Sequence, residues 1–148
     1  FVVPRTELRQ IDGKTYSFQN FLEGASNYNP QNGVNPRIRM LDLLMGNSDR
    51  DNGSNLMLWK GRQIAIDNAR GFQRIKGDSR YEFKKYQDNP ELIRQVIPNK
   101  KTFEEFRRAE TRQKISDTLK RQNIGKEVIE ETLSRYDEIV RISSIVYR

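Results

Sequence analysis

Oxygen-bearing side chains crowd two short stretches of the sequence. One is Gly46-Asn47-Ser48-Asp49-Arg50-Asp51-Asn52-Gly53-Ser54-Asn55; the other, after a brief apolar interval, is Ile66-Asp67-Asn68. Mg²⁺ takes such oxygens as ligands, one or two carboxylates at a time, with phosphate and water completing its shell. Phosphoryl transfer needs that bed of ligands, and also a residue that orients the attacking hydroxyl and receives its proton. Asp49 stands in a loop after a helix, Asn55 just before a strand and Asp67 just after the next one. A hairpin of those two strands would close its ends together and set Asn55 beside Asp67, next to Asp49. No other part of the chain converges acids and amides in this way. Two alternatives use the same residues. Asp, Asn, Gly and Ser are common loop formers in their own right. Asp49-x-Asp51-x-Gly53-x-Asn55 also spaces oxygen ligands as a calcium loop does, but the Gly and closing Glu of an EF-hand are misplaced and no helix follows.

The elements that must position these residues can be read around them. Residues 1–28 are extended: Phe1-Val2-Val3 ends at Pro4, Asp12-Gly13 makes a turn, and Lys14 to Leu22 alternates loosely with Tyr16, Phe18 and Phe21. Residues 24–35 read as a loop. Asn35-Pro36 then opens a helix with Ile38, Leu41, Leu44 and Met45 on one face, and Gly46 stops it. Leu56 to Trp59 and Gln63 to Ile66 are two short strands joined by Lys60-Gly61-Arg62, and a polar stretch follows to about Asp88. The rest is helical. Asn89-Pro90 caps a short helix closed by Pro98. Thr102 to Glu105 form a capping box for a helix running to about Gln122. Asn123-Ile124-Gly125 breaks it, before a stripe of Val128, Ile129, Leu133, Tyr136, Ile139 and Val140 that reads as core. The fold class is α+β with segregated elements.

Composition narrows the chemistry further. The 148 residues suit one domain. With no Cys and no His, disulfides, Cys nucleophiles, His-based triads and zinc fingers are excluded, and acid–base work falls to carboxylates, Lys, Tyr or water. The net charge of +7 points to anionic partners, or to solubility alone. No apolar run reaches the roughly 18 residues of a membrane span, and no signal peptide is read at the first residues. There is no internal repeat.

The loop around Asp49-Arg50, the hairpin after it and the segment Ile66-Asp67-Asn68-Ala69-Arg70-Gly71-Phe72 together resemble the phosphatidylinositol 3- and 4-kinase superfamily. Its relatives include HipA-like kinases and the secretory Golgi kinases. The resemblance is strongest to the type II phosphatidylinositol 4-kinases, through Val3-Pro4-Arg5-Thr6 and Ser17-Phe18-Gln19-Asn20-Phe21-Leu22. The motifs follow the family's order over residues 2–72; beyond them only the helical character matches. The resemblance implies a protein-kinase-like fold, mostly the helical C-terminal lobe with hinge strands. Residues 1–28 would be the remnant of the N-lobe and hinge, and 29–148 the C-lobe, with catalytic loop 46–55, metal segment 66–72 and C-terminal helices 89–148. It implies ATP and Mg²⁺ as cofactors. Asp49 would be the catalytic residue, with Arg50 supporting its loop. Asp67 would be the principal Mg²⁺ ligand and Asn55 the second. Gln19, Asn20 and Leu22 would form the adenine-reading hinge.

The sequence departs from the family in three places. Asn55 lies six residues after Asp49 where the family has five, which makes Asn52 an alternative ligand. Asp51 stands where many relatives have His. The phosphate-covering loop, strand Lys and helical acid that precede the hinge in the family have no counterpart, and Lys14 lies too close to the hinge to serve. Three expectations follow: an active kinase seen in part, its N-terminal lobe on a missing segment or second chain; a pseudokinase or binding module; or a basic nucleic-acid-binding protein. A kinase would act on a lipid or protein hydroxyl. Its basic helices (Arg107, Arg108, Arg112, Lys114, Lys120, Arg121) would face solvent, an acidic membrane or a partner, in the cytoplasm or as a secreted effector.

Overall fold

The Asp-Gly turn folds as its residues dictate. Strands β1 (Thr6–Ile11) and β2 (Lys14–Gln19) pair antiparallel with Ile11 opposite Lys14, so Asp12 and Gly13 alone make the turn. Both have positive φ, 50° and 74°, the type I′ geometry whose twist matches that of the strands. Every residue of both strands is exposed. The computed structural model, an α+β chain, describes residues 3–47, 50, 55–67, 71–72 and 79–148.

A second sheet has the order β3 (Ser26–Asn27), β4 (Leu56–Trp59), β5 (Arg62–Ala65), all antiparallel. Two details correct the sequence reading. The stretch 24–35 contributes a short strand, β3, to this sheet as well as loop. The β4–β5 turn is Lys60-Gly61 rather than three residues, because Lys60 enters the left-handed region with Gly61 (φ 50° and 72°) and Trp59 pairs with Arg62.

Helix α1 (Pro36–Met45) begins as expected: the Asn35 side chain accepts from the Arg37 amide, and Pro36 fills the first position. It ends at Gly46, φ 65°, where the Gly46 amide donates to Leu43 O and the Asn47 amide to Asp42 O. That is the Schellman arrangement, which satisfies carbonyls the helix end leaves open. The positive φ of Gly46 favours glycine, and a Cβ there would lie 2.5 Å from a guanidinium nitrogen of Arg135, which would have to shift.

The helical half holds two elements the sequence did not reveal in this form. Part of the polar stretch before Asp88 is helix α2 (Ser79–Asp88), seated by Phe83 and Tyr86. The expected long helix from Thr102 is two helices, α3 (Lys100–Phe106) and α4 (Ala109–Arg121). Asn99, not Thr102, caps α3, its side chain accepting from the Thr102 amide at 2.9 Å. The break between the helices is held from outside: the Tyr136 hydroxyl donates to Phe106 O (2.6 Å) and to Arg108 O (3.3 Å). Burial raises the Tyr136 pKa, with Asp137 adding to the effect, so the phenol stays a donor. The stretch after Asn89 is a 3₁₀ turn (Pro90–Gln95), and the Asn89 side chain makes no cap bond.

Helix α5 (Lys126–Val146) is the axis on which these elements pack. Its Ile139 and Ile142 meet Leu43, Phe83, Tyr86, Ile93, Ile97 and Phe103 in the main core. A smaller core joins Ile38 of α1 to Leu56 and Ala65 of the β4–β5 hairpin. Helix α1 therefore spans both cores, with the site at its C-terminal end. Among the described residues, no helix is long and apolar enough to cross a membrane.

Candidate functional site

The site is organised by one buried guanidinium. Arg50 is 5% exposed. Its Nε donates to both carboxylate oxygens of Asp42, at 3.0 and 2.8 Å. Its Nη1 donates to the backbone carbonyls of Asn55 (2.7 Å) and Ile66 (3.0 Å). Helix α1 is thus tied through one side chain to the entry of β4 and the exit of β5. A buried charge is tolerable only when paired and hydrogen-bonded, and both conditions are met for Arg50.

Asn55 and Asp67 sit at the mouth of the hairpin. The Ile66 amide donates to Asn55 O at 3.0 Å, extending the ladder past its last strand pair, Leu56 with Ala65. Asn55 therefore faces Ile66, with Asp67 next in the chain. Both adopt left-handed backbone, φ 67° and 47°. Asn and Asp enter that region more readily than most residues, and departures of this sort cluster at functional sites. Phe72 does so as well, at φ 63°, a costlier conformation for a bulky residue; its amide donates to Met45 O, at the end of α1, at 2.7 Å. Phe72 is thus fastened to the end of α1, and Ile66 is tied to the same helix through Arg50 and Asp42.

The expected hinge segment runs off β2. The Gln19 side chain donates to Thr6 Oγ1 (3.2 Å), the Asn20 amide donates to Arg5 O (2.9 Å), and Leu22 O accepts from the Ala25 amide (3.1 Å). Trp59 Nε1 donates to Glu23 O (3.0 Å), which links the loop after the hinge to the far end of β4. Phe21 is 90% exposed. Asp49, with Asp51, Asn52 and Asn68, lies outside the described residues.

Of the expected site residues, Arg50 bonds the carbonyl of Asn55 and that of Ile66, the residue before Asp67, whereas Gln19, Asn20 and Leu22 lie at the end of β2 and just after it. Sequence reasoning missed Asp42 and Asn47. Asp42 accepts from Arg50 and from Asn47 Nδ2 (3.2 Å), and Asn47 is itself buried. A signal for Asp42 existed: an acid near the C-terminal end of a helix opposes the helix dipole and asks for a compensating cation.

No protein-family model, no curated protein and no solved structure matches the chain with significance.

Proposed function

We propose that this chain carries the nucleotide- and metal-handling part of an ATP-dependent phosphotransferase with a kinase-like fold, acting on a lipid or protein hydroxyl. The observation that carries the reading is the Arg50 bridge from Asp42 to the carbonyls of Asn55 and Ile66. It gives a hairpin mouth bearing one carboxylate and one amide a fixed place relative to the helix that precedes Asp49 in the chain.

The donor set fits a hard cation: Asn55 and Asp67 offer the oxygens that Mg²⁺ takes, alongside nucleotide phosphates. Bound there, Mg²⁺ would neutralise charge on the transferring phosphoryl group. The chain's own residues do the rest. Asn55 and Asp67 hold the ligand end, Arg50 fixes their spacing from α1, and Asp49 orients the acceptor hydroxyl and takes its proton. An acidic membrane surface is the docking partner that the net charge of +7 favours for a lipid acceptor.

A second reading, a kinase-derived module that binds without turnover, draws on the hinge. The Asn20 amide and the Leu22 carbonyl, two groups suited to reading adenine, are already engaged by Arg5 and Ala25.

Calorimetric titration of ATP with and without Mg²⁺, on the wild type and on Asp67→Ala, tests the proposal. The expected outcome is Mg²⁺-dependent binding that Asp67→Ala abolishes, with Asp67→Asn, which keeps the left-handed backbone, losing it too. Binding indifferent to Mg²⁺ would sink it. Phosphate transfer to lipid vesicles or protein acceptors then separates catalyst from binding module.

A further inference from the structure

The Arg50 bridge has a fixed end, and that end is Asp42. Its carboxylate takes the Arg50 Nε on both oxygens and also accepts from Asn47 Nδ2. Asn47 and Arg50 flank Ser48-Asp49 in the sequence, so one carboxylate holds the residue on either side of that dipeptide. The Asp42 backbone is occupied in the same direction: its carbonyl receives the Asn47 amide at 2.9 Å. Asp42 is thus joined to Asn47 through both main chain and side chain.

Asp42 also stands on a rigid support. It lies within α1, next to Leu43, which is buried in the main core, while Ile38 of the same helix is buried against β4 and β5. The helix end behind it is closed by Gly46, on which the buried Arg135 of α5 rests. A carboxylate placed this way is a fixed anchor for Arg50, and hence for the carbonyls of Asn55 and Ile66.

We propose that Asp42 is the positioning residue of the site: through Arg50 it sets where the metal-binding oxygens of Asn55 and Asp67 stand. Asn47 steadies it from the other side. The proposal rests on the metal and nucleotide reading given above. Asp42 itself touches neither metal nor nucleotide. Its effect is therefore on the Mg²⁺-dependent part of ATP binding, not on ATP binding as such.

The same whole chain serves for the test. ATP is titrated in Mg²⁺ and in EDTA, on wild type, Asp42→Asn, Asp42→Glu and Asn47→Ala, with unfolding of each followed by Trp59 fluorescence. Residues that orient metal ligands from behind typically contribute about 10–100-fold in metal affinity. Asp42→Asn is expected to lose roughly that factor in the Mg²⁺-dependent gain in ATP affinity, with EDTA binding unchanged, Asp42→Glu recovering part and Asn47→Ala losing less. A purely structural ion pair would shift the unfolding midpoint of Asp42→Asn and leave the Mg²⁺ gain intact, which overturns the proposal. Should Asp42→Asn fail to fold, Asn47→Ala decides, since it leaves the Asp42–Arg50 pair in place: a reduced Mg²⁺ gain supports the proposal and an unchanged one overturns it. A wild type with no Mg²⁺ gain removes the metal reading and this inference together, an outcome distinct from a wild-type gain that the variants keep.

Discussion

The two hairpins of this chain are built alike and held differently. Each has a two-residue turn ending in glycine, Asp12-Gly13 in one and Lys60-Gly61 in the other, with all four residues in the left-handed region. Each pairs its strands antiparallel in full register. Yet β1–β2 exposes every strand residue, including Leu8 at 72%, while β4–β5 buries Leu56, Ile64 and Ala65. The difference lies outside the strands. Hairpin β4–β5 has β3 along one edge, α1 beneath it and Arg50 across its mouth. An isolated two-stranded hairpin is marginal in water, so turn chemistry alone does not make a site. Only the hairpin anchored to the helical core can hold Asn55 and Asp67 at a fixed spacing.

Cutting the anchor should bring the second hairpin down to the condition of the first. Arg50→Met removes the cation from a largely buried pair and leaves Asp42 uncompensated, which costs about 3–5 kcal/mol. Urea denaturation followed through Trp59, the chain's sole tryptophan, located in β4, reads this directly. Amide shifts of β1–β2 should hardly move. An Arg50→Met protein with wild-type stability would mean that β4–β5 holds itself and that the comparison is misdrawn.

A finer version compares side chains. Ile64 is fully buried, and Ile64→Val should cost about 0.5–1.5 kcal/mol. Leu8→Ala deletes far more of its side chain but leaves an exposed surface, so its effect should stay within about 0.5 kcal/mol. Global unfolding midpoints for the pair give the ranking. The reverse order would show that Leu8 is covered in solution.

How much of this was legible depends on whether the controlling interaction is local. Both hairpins could be read because Asp12-Gly13 and Gly61 announce their turns within the strands they join. The caps at Asn35 and Gly46 are equally local. Strand β3 could not be read, since Ser26–Asn27 has no pattern of its own and becomes a strand only when β4 lies alongside. Helix α2 was hidden because Phe83 and Tyr86 are a thin apolar signal in a charged segment. The split between α3 and α4 has neither Gly nor Pro to mark it; it is stabilised by the Tyr136 hydroxyl from another helix. At the site, the pairing of Asn55 with Ile66, the residue before Asp67, follows from hairpin closure, which sequence order reveals. The roles of Asp42 and Asn47 do not, because they depend on the path by which the chain returns Arg50 to α1. The burial of Arg50 is equally hidden, since an Arg in a polar stretch of sequence carries no mark that separates a surface side chain from a buried one.

The smallest effect concerns the helical core that supplies the anchor. The Arg141 guanidinium holds the Glu138 carboxyl below its ordinary 4.5; partial burial works against this, and Gln87 Nε2 adds a further lowering hydrogen bond. Because the folded value is the lower one, Glu138 contributes stability in full above 4.5. As pH falls below that value, the unfolded chain takes up a proton that the folded chain still refuses, and the contribution is gone once the folded value is passed. For an ion pair this exposed, the contribution at neutral pH is at most about 1 kcal/mol. Glu138→Gln should therefore be slightly less stable than wild type at pH 7, with the gap closing as the solution is acidified below 4.5. Trp59 fluorescence follows that loss on the anchored side. The amides of the exposed β1–β2 hairpin should exchange alike in both proteins at every pH. A gap that stayed constant from pH 7 into acid would assign the effect of Glu138 to packing rather than charge, and one that spread to β1–β2 exchange would show the two hairpins to be coupled after all.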